Sequence, residues 1–510
     1  MHSIGSARKD IKGIAIVLSI IALALILSYI FYSGPFVYYD DNCYIYFAHQ
    51  MIQGTFVPND MPFSVETLTI ASLALSFIIF GYGALQAALP SLFEYIATII
   101  VIFLLGRKMF NDYFAGIASF LFATAPFVLG YTTRALPDMF TALAVTIAAY
   151  FLYDAIKLNS KRAFFIAGFF ATFTMLIKTA GLIVIISFVA SLFYLFFSKK
   201  FRMSIGYSVL GMAIPLLAMF LCFFALVHNP FYNLYIYSSS FKNMAPTTFY
   251  ENLKIFNISI NPLLLLNVKN AQGSPHAYPL GAIALLAIVG SILGIIKKDK
   301  FIISSFIISA IPMLYIFFGS KSIFQYIPIS IVSRYFEIVA APMAILATYA
   351  LFKLYKSVSR ASKPAAWLTI FLILGFAMLT NALIYHSFYN YNLGIRSYNV
   401  AYQFILGQMP PGSNNVLFAS MLPGSDTQYL EFLSSFKKNF SILPSKCNAS
   451  YNNVLLINSF TNFNINQQSS LIAKWLGNNC TTKIISSYNM STGQSLYTKV
   501  DLYKIISYKT

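Results

Sequence analysis

Apolar residues along this chain gather in runs of about twenty, separated by short polar or basic segments, rather than at heptad or alternating spacing. A run of that length spans a bilayer core as an α-helix, so membrane helices are predicted near 13–33, 84–106, 113–132, 138–156, 163–179, 181–198, 204–227, 277–296, 301–318, 333–352 and 366–387. One more run, Leu68 to Phe80, is too short to cross and ends at Gly81-Tyr82-Gly83, which suits a re-entrant or interfacial segment.

Beyond Tyr389 the pattern changes. Asn, Ser, Gly and Lys become frequent, and the apolar stretches shrink to β-rich runs at Val416-Leu417-Phe418, Val454 to Ile457 and Lys483-Ile484-Ile485, separated by helix-like stretches near 426–438 and 466–477. This predicts a small α/β domain over 391–510, following a membrane module over 1–390 whose first external loop spans about 34–83. The fold class expected is mainly α, a polytopic transmembrane helical bundle with eleven crossings and the N-terminus inside.

Composition removes the soluble alternatives. Of 510 residues, 58% are apolar and only 10% charged, against about 25% charged in an ordinary soluble domain. The formal charge of +19 would suggest a nucleic-acid partner in a soluble chain. Here more than half of the 34 basic residues fall in alternate short segments: Arg8, Lys9 and Lys12; Arg107 and Lys108; Lys157, Lys161 and Arg162; Lys199, Lys200 and Arg202; Lys297, Lys298 and Lys300; Lys353, Lys356, Arg360 and Lys363. That is the cytoplasmic bias of a multi-pass membrane protein, and no nucleic-acid partner is expected. It places the N-terminus inside and the C-terminal domain outside. The first apolar run lacks an A-x-A-like site and reads as a retained helix. Cys447 and Cys480 both fall in the external domain and are free to pair in an oxidising compartment, a question that residue type alone leaves open. The Asn-x-Ser/Thr triplets at Asn257, Asn439, Asn448, Asn479 and Asn489 also fall outside.

Ionisable residues at membrane boundaries are the candidates for chemistry. Asp40-Asp41 opens an amphipathic stretch just outside the first helix; one acid there suffices as a cap, and a carboxylate at the boundary also serves as a general base. Arg134-Ala135-Leu136-Pro137-Asp138 lies on the same face, readable as a local Arg–Asp ion pair. Lys178, Lys321 and Arg334 are isolated outer cations able to hold a lipid phosphate; snorkelling of the lysines, and a pair of Arg334 with Glu337 one turn on, are the plainer readings. His49, His228 and His276 are external but show no metal-ligand spacing, and Walker A, GxGxxG, HExxH and CxxC patterns are absent.

Asp40-Asp41-x-x-Tyr44-x-x-x-Ala48-x-x-Ile52-x-Gly54 after a first helix resembles the acidic first-loop signature of the GT-C membrane glycosyltransferases, the protein O-mannosyltransferases and their aminoarabinose-transferase relatives. Leu105 to Phe110 is similar to that family's basic turn, Thr133 to Asp138 to its Arg-x-x-x-Asp loop, and Arg334-Tyr335 with Pro342 to a late Arg-Tyr and proline pair. Two departures stand out: Asp41 where Glu is common, and no Lys or Arg in Pro58 to Pro62, where some relatives hold the donor phosphate. The resemblance implies transfer of one sugar from a polyprenyl- or dolichyl-phosphate donor to a hydroxyl acceptor, whether protein, lipid or glycan, on the outer face. It implies Asp40 as base with Asp41 as its partner or as a helix cap, Arg134, Lys178 and Arg334 as phosphate-binding residues, and Asp138, Tyr44 and Tyr335 as orienting residues. No cofactor is demanded, although a divalent cation is compatible with two adjacent acids. A polytopic transporter or lipid-linked sugar flippase is the alternative; it predicts charges near the bilayer midplane and an internal repeat.

Overall fold

A computed structural model describes residues 2–31, 39–59, 61–240, 248–260, 280, 282–320, 326–329, 331, 333–382 and 384–385, together with five strands between 415 and 508. The helices are α1 (His2–Ile30), α2 (Tyr39–Ile52), α3 (Thr67–Phe80), α4 (Ala84–Met109), α5 (Asp112–Ala123), α6 (Pro126–Leu129), α7 (Asp138–Leu158) and α8 (Lys161–Ile177). They continue with α9 (Leu182–Phe196), α10 (Arg202–Val227), α11 (Tyr232–Ser240), α12 (Phe249–Ile260), α13 (Ala282–Ile296), α14 (Lys300–Phe318) and α15 (Glu337–Val358). A last helix, α16, covers Lys363–Ala382.

Among the described residues, eight helices are long and apolar enough to cross a membrane, and each coincides with an expected span. The other three expected spans correspond to the shorter helices α5, α8 and α13. The run 113–132 is not one helix: α5 stops at Ala123 and α6 starts again at Pro126. Pro126 has no N–H to continue the ladder, so the apolar run bends without losing its hydrophobic character. The run 68–80 forms the 14-residue α3, packed on α2, with Leu75, Ile78 and Ile79 exposed.

Local chemistry starts the helices at the basic end. The side chains of Asn111, Ser160 and Asp299 accept the free N–H groups of Phe114, of Ala163, and of Phe301 and Ile302. Lys108 Nζ meets Asp154 Oδ2 at 2.6 Å, and Lys300 Nζ donates to Ser198 Oγ at 2.6 Å. The basic loops expected on one face therefore touch one another. The opposite end is joined by other bonds: Thr69 Oγ1 donates to the carbonyl of Ile177 at 3.0 Å, and Asn252 Nδ2 to that of Ile329 at 2.9 Å.

α15 is the axis of the bundle. Every residue from Glu337 to Leu351 is buried, against α5, α7, α13 and α14, so this helix is apolar all round and ends in charge only at its termini. Small residues bring backbones together here: a Cβ on Gly290 of α13 would lie 1.9 Å from the Leu346 carbonyl oxygen. The α8–α10 pair repeats the device, with Gly168 against Ser208 and Gly211 against the carbonyl oxygen of Phe165.

The C-terminal strands are β1 (Asn415–Ala419), β2 (Asn439–Ile442), β3 (Val454–Thr461), β4 (Cys480–Thr492) and β5 (Leu496–Tyr508), in one sheet of order β2-β1-β3-β5-β4. β1 runs parallel to β2 and β3, whereas β5 is antiparallel to β3 and β4. The three β-rich runs of the sequence lie in β1, β3 and β4; β2 and β5 were not anticipated. The helix-like stretches 426–438 and 466–477, and the pairing of Cys447 with Cys480, lie outside the described residues.

Close α8–α10 contact makes a specific demand on side-chain size. Gly211→Val puts a carbon about 2.0 Å from a backbone oxygen and is expected to lower the thermal midpoint of the detergent-solubilised protein by several degrees or to prevent folding. Gly206→Ala, with nothing within 4 Å of the added carbon, is expected to leave the midpoint nearly unchanged.

Candidate active site

Four breaks in the helical framework meet at the end away from the basic loops, and each contributes charge. α2 begins with Asp40 and Asp41 in its first turn, where the helix dipole favours them. The turn between α6 and α7 carries Arg134 and delivers Asp138 into the first turn of α7. α8 ends at Ile177, and Lys178 is extended before a tight turn through Thr179–Gly181. A Cβ on Gly181 would lie 2.5 Å from the Thr174 backbone, so this turn closes directly on α8. The fourth break is the 3-10 turn Ser333–Phe336, which leads Arg334 and Tyr335 into α15.

These residues pair across elements. Asp41, fully buried, accepts from Arg134 Nη2 at 2.7 Å. Asp138 Oδ1 accepts from Lys178 Nζ, and Asp40 Oδ2 from Arg334 Nη2. Tyr335 lies beneath two of the cations, its ring centroid 5.2 Å from Lys178 Nζ and 5.7 Å from the Arg334 guanidinium. Three sequence readings are thereby corrected. Arg134 does not pair with Asp138 in its own loop, Arg334 does not pair with Glu337 one turn on, and Lys178 does not snorkel to the interface. Each cation is met by an acid on another element, because at the buried end of a bundle the nearest opposite charge comes from the neighbouring helix.

Two acids were missed as site residues. Glu66, buried where the first loop enters α3, accepts from the Tyr44 hydroxyl and, at 3.4 Å, from the Thr179 N–H. Burial pushes its carboxyl up to about 7, against the pull of Lys178 and of the Tyr44 bond. Burial likewise holds the Tyr44 phenol well above its ordinary value, with the Glu66 charge adding to the effect. Glu337 is fully buried at the start of α15, and neither carboxyl oxygen has a hydrogen bond among the described residues. Both were visible in sequence as lone acids beside apolar runs. Tyr44, expected to orient the site, donates its hydroxyl to Glu66.

Other candidates fall away from this cluster. His49 Nδ1 lies 2.7 Å from the Tyr82 hydroxyl, and partial burial lowers the imidazole's pKa. His228 ends α10 in the left-handed region, at φ 55°, with its ring near Phe224. Lys321 and His276 lie outside the described residues. Among the described residues, no three of His, Cys, Asp and Glu gather as a metal-ligand set.

The Asp41–Arg134 pair gives a stability test. Arg134→Met leaves a buried carboxylate without its cation and is expected to cost about 3–5 kcal/mol. Adding Asp41→Asn is expected to recover much of that loss, read as unfolding midpoints in a double-mutant cycle.

Residues 68–226 match the family described as dolichyl-phosphate-mannose-protein mannosyltransferase. The matched stretch contains Arg134, Asp138 and Lys178. No curated protein matches the chain by sequence. By fold it is similar to ArnT from Cupriavidus metallidurans in the apo state, at 12% identity and a TM-score of 0.58, over 95% of this chain and 97% of that one. The same protein bound to undecaprenyl phosphate aligns at 12% identity and 0.55, over the same shares of both chains. The Archaeoglobus fulgidus oligosaccharyltransferase AglB, in complex with an inhibitory peptide and a dolichol-phosphate, aligns at 12% identity and 0.50, over 94% of this chain and 74% of that one. The chain therefore shares the fold of these membrane glycosyltransferases, and its residues 68–226 match the mannosyltransferase family.

Proposed function

We propose that this enzyme transfers a single sugar from a polyprenyl- or dolichyl-phosphate donor to a hydroxyl acceptor on the outer face of the cell membrane, with Asp40 as general base. The observation that carries the reading is the meeting of Arg134, Lys178 and Arg334 with Asp40, Asp41 and Asp138 at one end of the membrane helices. A lipid-linked phosphate arrives from the bilayer at that boundary, and the charge that develops on it as the sugar departs needs cations already in place. ArnT with undecaprenyl phosphate and AglB with dolichol-phosphate support a donor of this class. Charges gathered at one end, rather than at the midplane, favour the transferase over a carrier.

Exposure divides the labour. Asp41 and Asp138 are sealed, with side chains 0% and 2% exposed, whereas Asp40 and Arg334 each keep 18%. Asp40 is therefore the acid of the three pairs that an incoming hydroxyl reaches, and Arg334 the cation that a phosphate reaches. Asp41 holds Arg134 and Asp138 holds Lys178, so two fixed ion pairs stand behind Arg334. The acceptor oxygen bonds to the anomeric carbon, the bond from that carbon to the phosphate oxygen breaks, and the acceptor proton passes to Asp40. Before donor binds, Asp40 is tied to Arg334. A phosphate competes for the same guanidinium, and as Arg334 turns to it the Asp40 carboxylate is left open to the acceptor hydroxyl, so availability of the base follows donor binding. The C-terminal sheet belongs, in this reading, to an extracytoplasmic domain on the acceptor side.

In membranes supplied with labelled polyprenyl-phosphate sugars, Asp40→Asn is expected to lower kcat by about 10²–10⁴-fold while donor binding persists or tightens, because Arg334 is released. Arg334→Gln is expected to raise the donor KM as well as lower kcat. Equal transfer by native protein and Asp40→Asn would remove Asp40 as base. Because the Arg334 guanidinium meets the leaving phosphate in this mechanism, transfer is expected to survive EDTA without stimulation by Mg²⁺ or Mn²⁺; strict dependence on a divalent ion would show that Asp40 and Asp41 open to bind one.

A further inference from the structure

Glu66 differs from the paired acids of the site in what it touches. Asp40, Asp41 and Asp138 each meet a guanidinium or ammonium group, so protonating any of them breaks an ion pair. Glu66 meets a phenol and a backbone N–H instead. It can therefore gain or lose a proton without stripping a cation of its partner. Its position is equally specific. Tyr44 stands four residues after Asp40 on α2, which puts the two side chains on one helix face, one turn apart. The Tyr44 hydroxyl, 98% buried with its residue, points its own proton at Glu66 Oε2.

We propose that Glu66, reached through the Tyr44 hydroxyl, takes up the proton that the transfer reaction removes from the acceptor. The inference rests on the reading of Asp40 as base. After the acceptor O–H bond has broken and its proton has passed to Asp40, that proton moves to the Tyr44 oxygen as the Tyr44 proton moves to Glu66. Asp40 ends as a carboxylate, Tyr44 as a phenol and Glu66 as a carboxylic acid; the electron pair of the broken sugar–phosphate bond leaves with the lipid phosphate. A regenerated Asp40 carboxylate again competes for Arg334, which helps to expel that product. Glu66 then returns its proton to water when the site opens.

The groups facing this relay are Lys178 and Thr179 at the α8–α9 turn and Asp138 of α7 around Glu66, with Asp40 and Arg334 beside Tyr44. Lys178 favours the ionised form of Glu66, whereas burial and Asp138 favour the neutral one. With burial the largest effect, the carboxyl titrates near 7, within the range in which a proton store both fills and empties. Only ionised Glu66 can accept, so activity should rise with pH through that value.

The test uses the purified full chain in lipid nanodiscs, with a labelled polyprenyl-phosphate sugar and a hydroxyl acceptor, measuring kcat and donor KM from pH 5.5 to 8.5. Native protein should show the rising limb near 7. Glu66→Gln, which keeps an oxygen for Tyr44, should lose that limb and fall roughly tenfold to a hundredfold in kcat at pH 8, with donor KM unchanged; Glu66→Asp should restore part of the limb. Tyr44→Phe, which keeps the ring packing, should lose the limb too and serves if Glu66→Gln fails to fold. An unaltered pH profile in Glu66→Gln, or in Tyr44→Phe, overturns the relay while leaving Asp40 as base. A raised donor KM with an unchanged profile reduces Glu66 to a positioning residue for the Lys178 turn. If native protein transfers no sugar from any such donor, the base assignment fails, and the relay with it.

Discussion

A charged side chain withdrawn from water at the end of a helix bundle keeps its charge only where an opposite charge meets it, and this requirement organises the site. Three ion pairs satisfy it, and none is local. Asp41 and Arg134 are 93 residues apart in sequence, Asp138 and Lys178 40, Asp40 and Arg334 294. Each pair fastens a different element to the cluster: the first loop to the α6–α7 turn, α7 to the end of α8, and the first loop again to the start of α15. Such pairs give little net stability, because desolvation offsets the attraction, but loss of one partner is costly. Their value here lies in holding three cations in fixed positions at one end of the bundle, where the proposed function places a lipid phosphate.

Within the cluster, the graded burial of the pairs separates structure from chemistry. The sealed pairs fix backbone turns; the partly exposed Asp40–Arg334 pair is the one that substrates divide in the proposed mechanism. In the proposed mechanism, donor phosphate and the Asp40 carboxylate compete for a single guanidinium, so availability of the base follows occupancy of the donor site. Glu66, outside this exchange of partners, adds a group able to change protonation without unlocking the framework.

The membrane architecture was legible because it is one-dimensional physics: helix length against bilayer thickness, and basic residues biased to one face. The basic loops do meet, through Lys108, Asp154, Lys300 and Ser198. Where a run of apolar residues contains a break, as at Thr124-Ala125-Pro126, hydropathy alone did not register it. β2 and β5 escaped notice because sheet pairing is decided by partners distant in sequence.

The sequence by itself determined that this is a multi-pass helical protein, that Asp40, Asp41, Arg134, Asp138, Lys178 and Arg334 stand at helix ends on one face, and that their order resembles that of the GT-C transferases. Which charge holds which was decided only by tertiary structure. Sequence favours neighbours, so Arg134 appeared to belong to Asp138 and Arg334 to Glu337. Packing places each of these cations beside an acid from α2, and leaves Glu337 buried with no hydrogen bond among the described residues. The same packing joins Tyr44 to Glu66 across 22 residues. Coulomb and hydrogen-bond energies depend on distance through space, and in a folded bundle that distance is set by which helices touch.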